Sequence, residues 1–310
     1  MNNPFVYAEG KRVEITVQQS KEIKGLYRES SREIKKDVEK FKGMRDSSSS
    51  LQRTYLNNLK NEIVRKMRTI DNSTEKIISG NVDKMVSVVL ENNEMFLKNA
   101  GMSTYSMNPD IKYNMISRIT TGKLYNNKWS LSSSIWGDNA AKIKEIEKII
   151  SKGILKNEST YDIAKNLERY VNPDARKNWK WSNVFPGSRR KIDYNAQRLA
   201  RTMISHAYQE SFVEMTINNP FITGYKWVTS GSDRVCPLCM DRESLDQFGL
   251  GPGIFPKDKL PLDHPNGMCT FECISSFSDD EISDAIADWY LGVGDKQMNK
   301  QLDKFVESFQ

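Results

Sequence analysis

The chain has 310 residues and a formal net charge of +6, with 38% hydrophobic and 28% charged residues. It is long enough for two or three compact units and polar enough to suit long, partly exposed helices. An apolar run such as "VSVVL" at 86–90 is far too short to cross a bilayer, and the opening "MNNPFVYAEG" lacks the basic and apolar regions of a signal peptide, so a reducing cytoplasm is expected.

The charge is uneven: residues 1–128 carry +8, residues 129–229 carry +6 and residues 230–310 carry −8. A basic surface of that size suits either an ordinary solvated helical face or an acidic partner such as nucleic acid. In chain order, "RVEITV" at 12–17 alternates as a short strand would. Residues 18–41 read as a charged helix, and "RDSSSS" at 45–50 breaks it and caps the next. A second helix is predicted over 51–70, with Tyr55, Leu59, Ile63 and Met67 on one stripe, and a third over 75–98. Together they form an arm or hairpin whose apolar stripe needs a partner.

A second unit opens at 127, with helices predicted over 140–154 and, capped by Ser159 and Thr160, onward through 171. Residues 172–193 read as a loop in which basic residues interleave with Trp179, Trp181 and Phe185. Such a loop can clamp single strands by charge and stacking, or anchor its tryptophans in the protein's own core. Its nucleic-acid candidates are Arg176, Lys177, Lys180, Arg189, Arg190 and Lys191. The helix over 194–218 is the most regular in the chain, with His206 on its polar side as a surface residue. A strand is predicted within "FITGYKWVTS" at 221–230, and "SDDE" at 278–281 reads as a capping box.

The four cysteines all fall between positions 236 and 273. Cys236 and Cys239 form C-x2-C; His264, Cys269 and Cys273 follow. A two-residue spacer lets a tight turn aim two sulfurs at one ion, and zinc takes four such ligands tetrahedrally. The glycines and prolines between Cys239 and His264 rule out a long helix there, so the loop needs a staple. A structural zinc supplies on the order of 10 kcal/mol of folding free energy. The other readings are a redox C-x2-C pair and structural thiols without metal. Five candidates compete for four places, so the fourth ligand is Cys269 or Cys273.

Enzyme signatures are missing. H-E-x-x-H and a P-loop do not occur, and "HAY" at 206–208 does not supply the H-x-E of zinc deaminases. "LDH" at 262–264 is reminiscent of histidine-type zinc nucleases, but the chain has only two histidines.

Four elements in order, the helix "YNAQRLARTMISHAYQES", the tryptophan strand and the C-x2-C pair within "GYKWVTSGSDRVCPLC", and the closing "LPLDHPNGMCTF", resemble the phage minor head protein family, also called head-morphogenesis or Mu F-like proteins, with weaker similarity back to "LSSSIW" at 131–136. The likeness covers about 140 residues. It implies metal-type positions at Cys236, Cys239, His264 and Cys269. The family's first cysteine after "HPN" is Gly267 here, and its arginine is Met268.

The expected fold is mainly α, with a long helical N-terminal arm (1–127), a helical core (128–220), a small α+β zinc-stapled module (221–277) and a helical tail (278–310). The resemblance implies a non-enzymatic minor capsid protein with a structural Zn2+, placed in the virion at the head interior or portal vertex. It would act in head assembly or DNA delivery. The implied partners are the portal protein, other head proteins and, non-specifically, packaged DNA; no membrane or small-molecule substrate is expected. The competing readings are a histidine-type zinc nuclease and a zinc-stapled DNA-binding protein outside any virion.

Overall fold

A computed structural model describes the chain except residues 1–3, 43–47, 100–101, 103–107, 127–129, 179–188, 192, 234 and 310. The side chains of residues 4–5, 132–141, 176–178 and 189–190 are likewise left aside. Among the described residues the protein is mainly α, with nine α-helices, a three-stranded antiparallel sheet and a two-stranded one. None of these helices is long and apolar enough to cross a membrane.

The first helix, α1, runs over Pro4–Glu39 and absorbs the segment expected as a strand. Alternation misleads there because Val13 and Val17 face solvent, while Arg12 and Ile15 are buried. The buried set Ala8, Arg12, Ile15, Gln19, Ile23 and Tyr27 recurs every three or four residues, which is a helical stripe. The two helices expected over 51–70 and 75–98 are one, α2, over Ser49–Asn99. "DNST" at 71–74 contains no proline, and Ile63, Met67, Ile70, Ile78, Val82 and Met85 keep one buried phase across it. Burying such side chains contributes roughly 1.5–3 kcal/mol each, more than the polar interruption costs.

The contacts gather into two units, each discontinuous in sequence. One comprises Val17–Gly80 and Thr120–Ala200. In it, Ile23, Tyr27 and Ile34 of α1 are buried together with Leu56, Ile63 and Ile70 of α2. Lys66 pairs with Glu33, and Phe41 packs 6.2 Å from Tyr55. The stripe that seemed to need an outside partner is thus covered by the chain itself. The same unit holds α3 residue Thr120 (α3 spans Pro109–Thr120), α4 (Leu131–Leu155) and α5 (Thr160–Glu168). The Ser159 side chain caps α5 by accepting from the Asp162 N–H, as its sequence suggested.

Residues 172–193 are not all loop. Strands β1 (Arg176–Asn178) and β2 (Arg189–Lys191) pair antiparallel, with Arg176 opposite Lys191 and Lys177 opposite Arg190. Nothing in the strand propensities of these lysines and arginines announces it.

The other unit comprises Met1–Thr16, Asn81–Ile119 and Arg201–Gln310. It contains most of α6 (Tyr194–Thr216) and the sheet β4-β3-β5, with β3 (Gly224–Val228) central between β4 (Ile254–Pro256) and β5 (Thr270–Ile274). Trp227 pairs with Phe271 across β3 and β5, and Tyr225 with Cys273. Phe271 in turn meets Tyr225 and Phe212 edge-on at 5.4 and 5.2 Å, seating the sheet on α6. Three further helices complete it: α7 (Pro237–Ser244), α8 (Asp279–Leu291) and α9 (Lys296–Glu307). The capping box at α8 is present, with Ser278 and Glu281 exchanging hydrogen bonds.

Candidate metal centre

The C-x2-C motif is built as a helix start. Cys236 is the N-cap of α7, Pro237 follows it inside the first turn, and the Cys236 carbonyl accepts from the N–H groups of Cys239 and Met240 at 3.0 and 3.1 Å. Cys239 is thereby turned inward, fully buried against Trp227, Phe255 and Cys269. All four cysteines are free thiols.

The opposite wall is the segment from Pro261 to Cys269, which carries no regular structure and is held by side chains of one face of α6. Gln209 Nε2 donates to Pro261 O at 2.6 Å, and its Oε1 accepts from the Asp263 N–H at 3.0 Å. His206 Nε2 donates to Asp263 O at 2.8 Å. Ser205 Oγ donates to Gly267 O, Thr202 Oγ1 accepts from the Asn266 N–H, and Arg201 Nη1 donates to Asn266 Oδ1. Arg12 adds bonds to Ser205 Oγ and Met268 O. His206 is therefore not a surface residue; burial holds its imidazole below its usual pKa and keeps it neutral. Positions 201, 202, 205, 206 and 209 fall on one helical face, so two stretches of sequence about 60 residues apart close on each other through hydrogen bonds from α6 side chains, nearly all to the backbone of the loop.

Within this frame the ligand-type atoms converge. Cys236, Cys239 and His264 form one group in which all the ligand atoms lie within 4.8 Å of one another; Cys239, Asp263 and Cys269 form a second that shares Cys239. The His264 Nε2 lies 3.3 Å from Cys236 Sγ. Its Nδ1 lies 3.1 Å from Pro265 O, and since a carbonyl can only accept, the proton belongs on Nδ1. That leaves the Nε2 lone pair facing the thiols, as a metal-binding imidazole requires. Burial pushes the Cys239 and Cys269 thiols up, so ionising them here needs a compensating cation. The donor set fits a divalent metal.

Asp263 is the residue the sequence reading missed. It is buried, and its carboxylate accepts from the backbone N–H of His264 at 2.8 Å and of Cys269 at 3.2 Å. Adjacency to His264 was its only signal in the sequence. Cys273 belongs to neither ligand group. It sits on β5 opposite Tyr225, where burial raises its thiol to about 12, and four residues of strand separate it from Cys269 by about 13 Å. It lines an apolar cavity of about 220 Å³ with Phe212, Phe221 and Ile282 instead.

Of the nucleic-acid candidates, Arg176, Lys177, Arg189, Arg190 and Lys191 are brought together by the β1–β2 register, with Lys191 also paired to Asp174 at 3.2 Å. Lys180 lies outside the described residues, as do Trp179, Trp181 and Phe185. Comparison of the chain with family models, curated proteins and solved structures finds no match.

Proposed function

We propose that this is a structural, non-enzymatic protein of a phage head, associated with the portal and acting in head assembly or DNA delivery, with one zinc ion held by Cys236, Cys239, His264 and Cys269. The observation that carries the reading is the closure of the segment from Pro261 to Cys269 onto α6. Two of the elements of sequence that resemble the minor head proteins bond to each other there, beside two donor groups that share Cys239, one with Cys236 and His264 and one with Asp263 and Cys269. Thiolate and imidazole ligands with buried sulfurs favour zinc over harder cations. Four such ligands close the coordination shell, which suits a staple rather than a reaction centre.

Portal and DNA contacts follow from the resemblance and the basic excess of residues 1–229. The backbone register of β1 and β2 sets position 176 opposite 191 and 177 opposite 190, all of them lysine or arginine in the sequence. Purified particles of the parent phage, analysed by mass spectrometry and cryo-electron microscopy, should contain the protein in low copy at the portal vertex. Its absence from particles would overturn the virion reading. A histidine-type nuclease is disfavoured because both histidines have structural partners: His206 is bonded to Asp263 O, and His264 faces Cys236. Plasmid cleavage with added divalent metal, lost in His264→Ala, would reinstate it.

A further inference from the structure

Helix α7 and the loop after it carry several large apolar side chains that remain half exposed. Leu238 and Met240 on α7, and Leu245, Phe248 and Leu250 in the loop after it, are each 42 to 51% exposed. Single exposed leucines are ordinary, but five large apolar side chains within thirteen residues ask for a cause.

The segment that bears them is tied down on both sides. Leu245 N donates to Asp241 O, Leu250 N to Asp246 Oδ1, and Gly253 N to Leu245 O. Gly253 O then accepts from Trp227 N at 2.8 Å. Gly253 has a φ of +72°, and a Cβ there would meet Glu243 O at 2.5 Å, so only glycine closes this turn. Phe248 leans on Phe255 with ring centroids 5.6 Å apart. The apolar groups are displayed by an ordered scaffold, so a partner would lose little conformational freedom in ordering them.

Charge selects the occupant. Between Cys236 and Gly253 the one cation is Arg242, and it is engaged: its guanidinium lies 4.8 Å from the Trp227 ring and donates to Leu262 O. Glu243 is likewise spent on the N–H and hydroxyl of Thr229. Asp241 is exposed, as is Asp246, one of whose carboxylate oxygens already accepts from Leu250 N, and residues 230–310 as a whole carry −8. Anionic phospholipid and nucleic acid are repelled by such a surface.

We propose that α7 and the loop through Gly253 form a docking surface for a basic amphipathic protein segment. Its apolar side chains would meet Leu238 and Leu245, which share a face of α7 with Asp241, and Phe248 and Leu250 in the loop, and its lysines or arginines would face Asp241 and Asp246. This surface works equally in a virion or outside one.

The probe is a fluorescein-labelled synthetic 18-residue helix with leucines at helical spacing and lysines elsewhere, titrated with the full-length metal-loaded protein by anisotropy. Saturable binding is expected, weakened about tenfold or more in Leu238→Ser/Leu250→Ser. Asp241→Asn/Asp246→Asn should weaken it severalfold and flatten its salt dependence, and a glutamate-for-lysine helix should not bind. Circular dichroism and metal content confirm that each variant is folded. No binding, or equal binding by Leu238→Ser/Leu250→Ser, would overturn the proposal by leaving general charge attraction only. Equal binding of the glutamate helix, or dimerisation of the wild type abolished by Leu238→Ser/Leu250→Ser, would overturn it in favour of an unselective apolar face or a second copy.

Discussion

The carboxylate of Asp263 occupies the space that a Cβ on Gly267 would need. It cannot swing aside freely, because its two oxygens accept from the backbone N–H groups of His264 and Cys269. Gly267→Ala should therefore destabilise the protein by about 1–3 kcal/mol, the usual cost of overpacking. If that space is the cause, adding Asp263→Ala should cost less than the two single changes summed. Urea denaturation of the four proteins in the cycle checks this; strict additivity would remove Asp263 as the obstacle.

Metal content should follow the ligand geometry. Cys236→Ser and Cys239→Ser should lose the ion, whereas Cys273→Ser should retain one equivalent, since Cys273 stands apart on β5. Elemental analysis of protein purified without chelator decides it. Metal bound equally by Cys236→Ser and Cys273→Ser would reject the ligand set. Chelation should also lower the melting temperature, because an ion that binds only the folded state stabilises it.

Gln209 bridges both sides of one peptide segment, donating to Pro261 O and accepting from Asp263 N. Gln209→Leu leaves those buried groups unpaired, at an expected cost of about 1–3 kcal/mol. Metal affinity should fall about tenfold or more, since the segment carrying His264 loses its support. Competition with a chromophoric chelator measures the second effect. Unchanged affinity would confine Gln209 to a role in stability.

A pH dependence follows from His206. Burial lowers its pKa, the Asp263 backbone and carboxylate oppose that, and His264 adds to it. A group whose folded pKa lies below its unfolded value of about 6.5 contributes fully above that pH, and its contribution fades as pH falls through the folded value. Thermal stability should thus drop below about pH 6.5. His206→Gln, which keeps a donor for Asp263 O, should flatten the drop at equal metal loading. Identical pH profiles in the two proteins would assign the loss to other groups.

The helix over 194–218 was legible from its apolar stripe, and those from 160 and 278 onward from their caps. Alternation at Val13 and Val17 misled because burial of Arg12 breaks the usual link between polarity and exposure. Its guanidinium reaches Met268 O, 256 residues away, and no local window contains that partner. The cysteine spacing pointed to the grouping of Cys236, Cys239 and His264 by itself. Asp263 and His206 were not legible, since their roles come from hydrogen bonds to backbone atoms that a sequence does not display. That Cys269 lies near Cys239 while Cys273 belongs to neither donor group took the fold to show.

The unit that holds the cysteines draws on residues near position 12, on 81–119 and on everything from 201 onward. A ribosome delivers these pieces far apart in time. Arg12 must wait for Met268, and Cys239 for the segment that carries His264. During synthesis the thiols therefore emerge into solvent with no second wall to close against them, and contacts of such long range form slowly. Metal delivered before that closure would meet a bare C-x2-C pair. The ion's arrival and the last step of folding would then be one event, and nascent chains starved of metal would be the ones that proteases reach first.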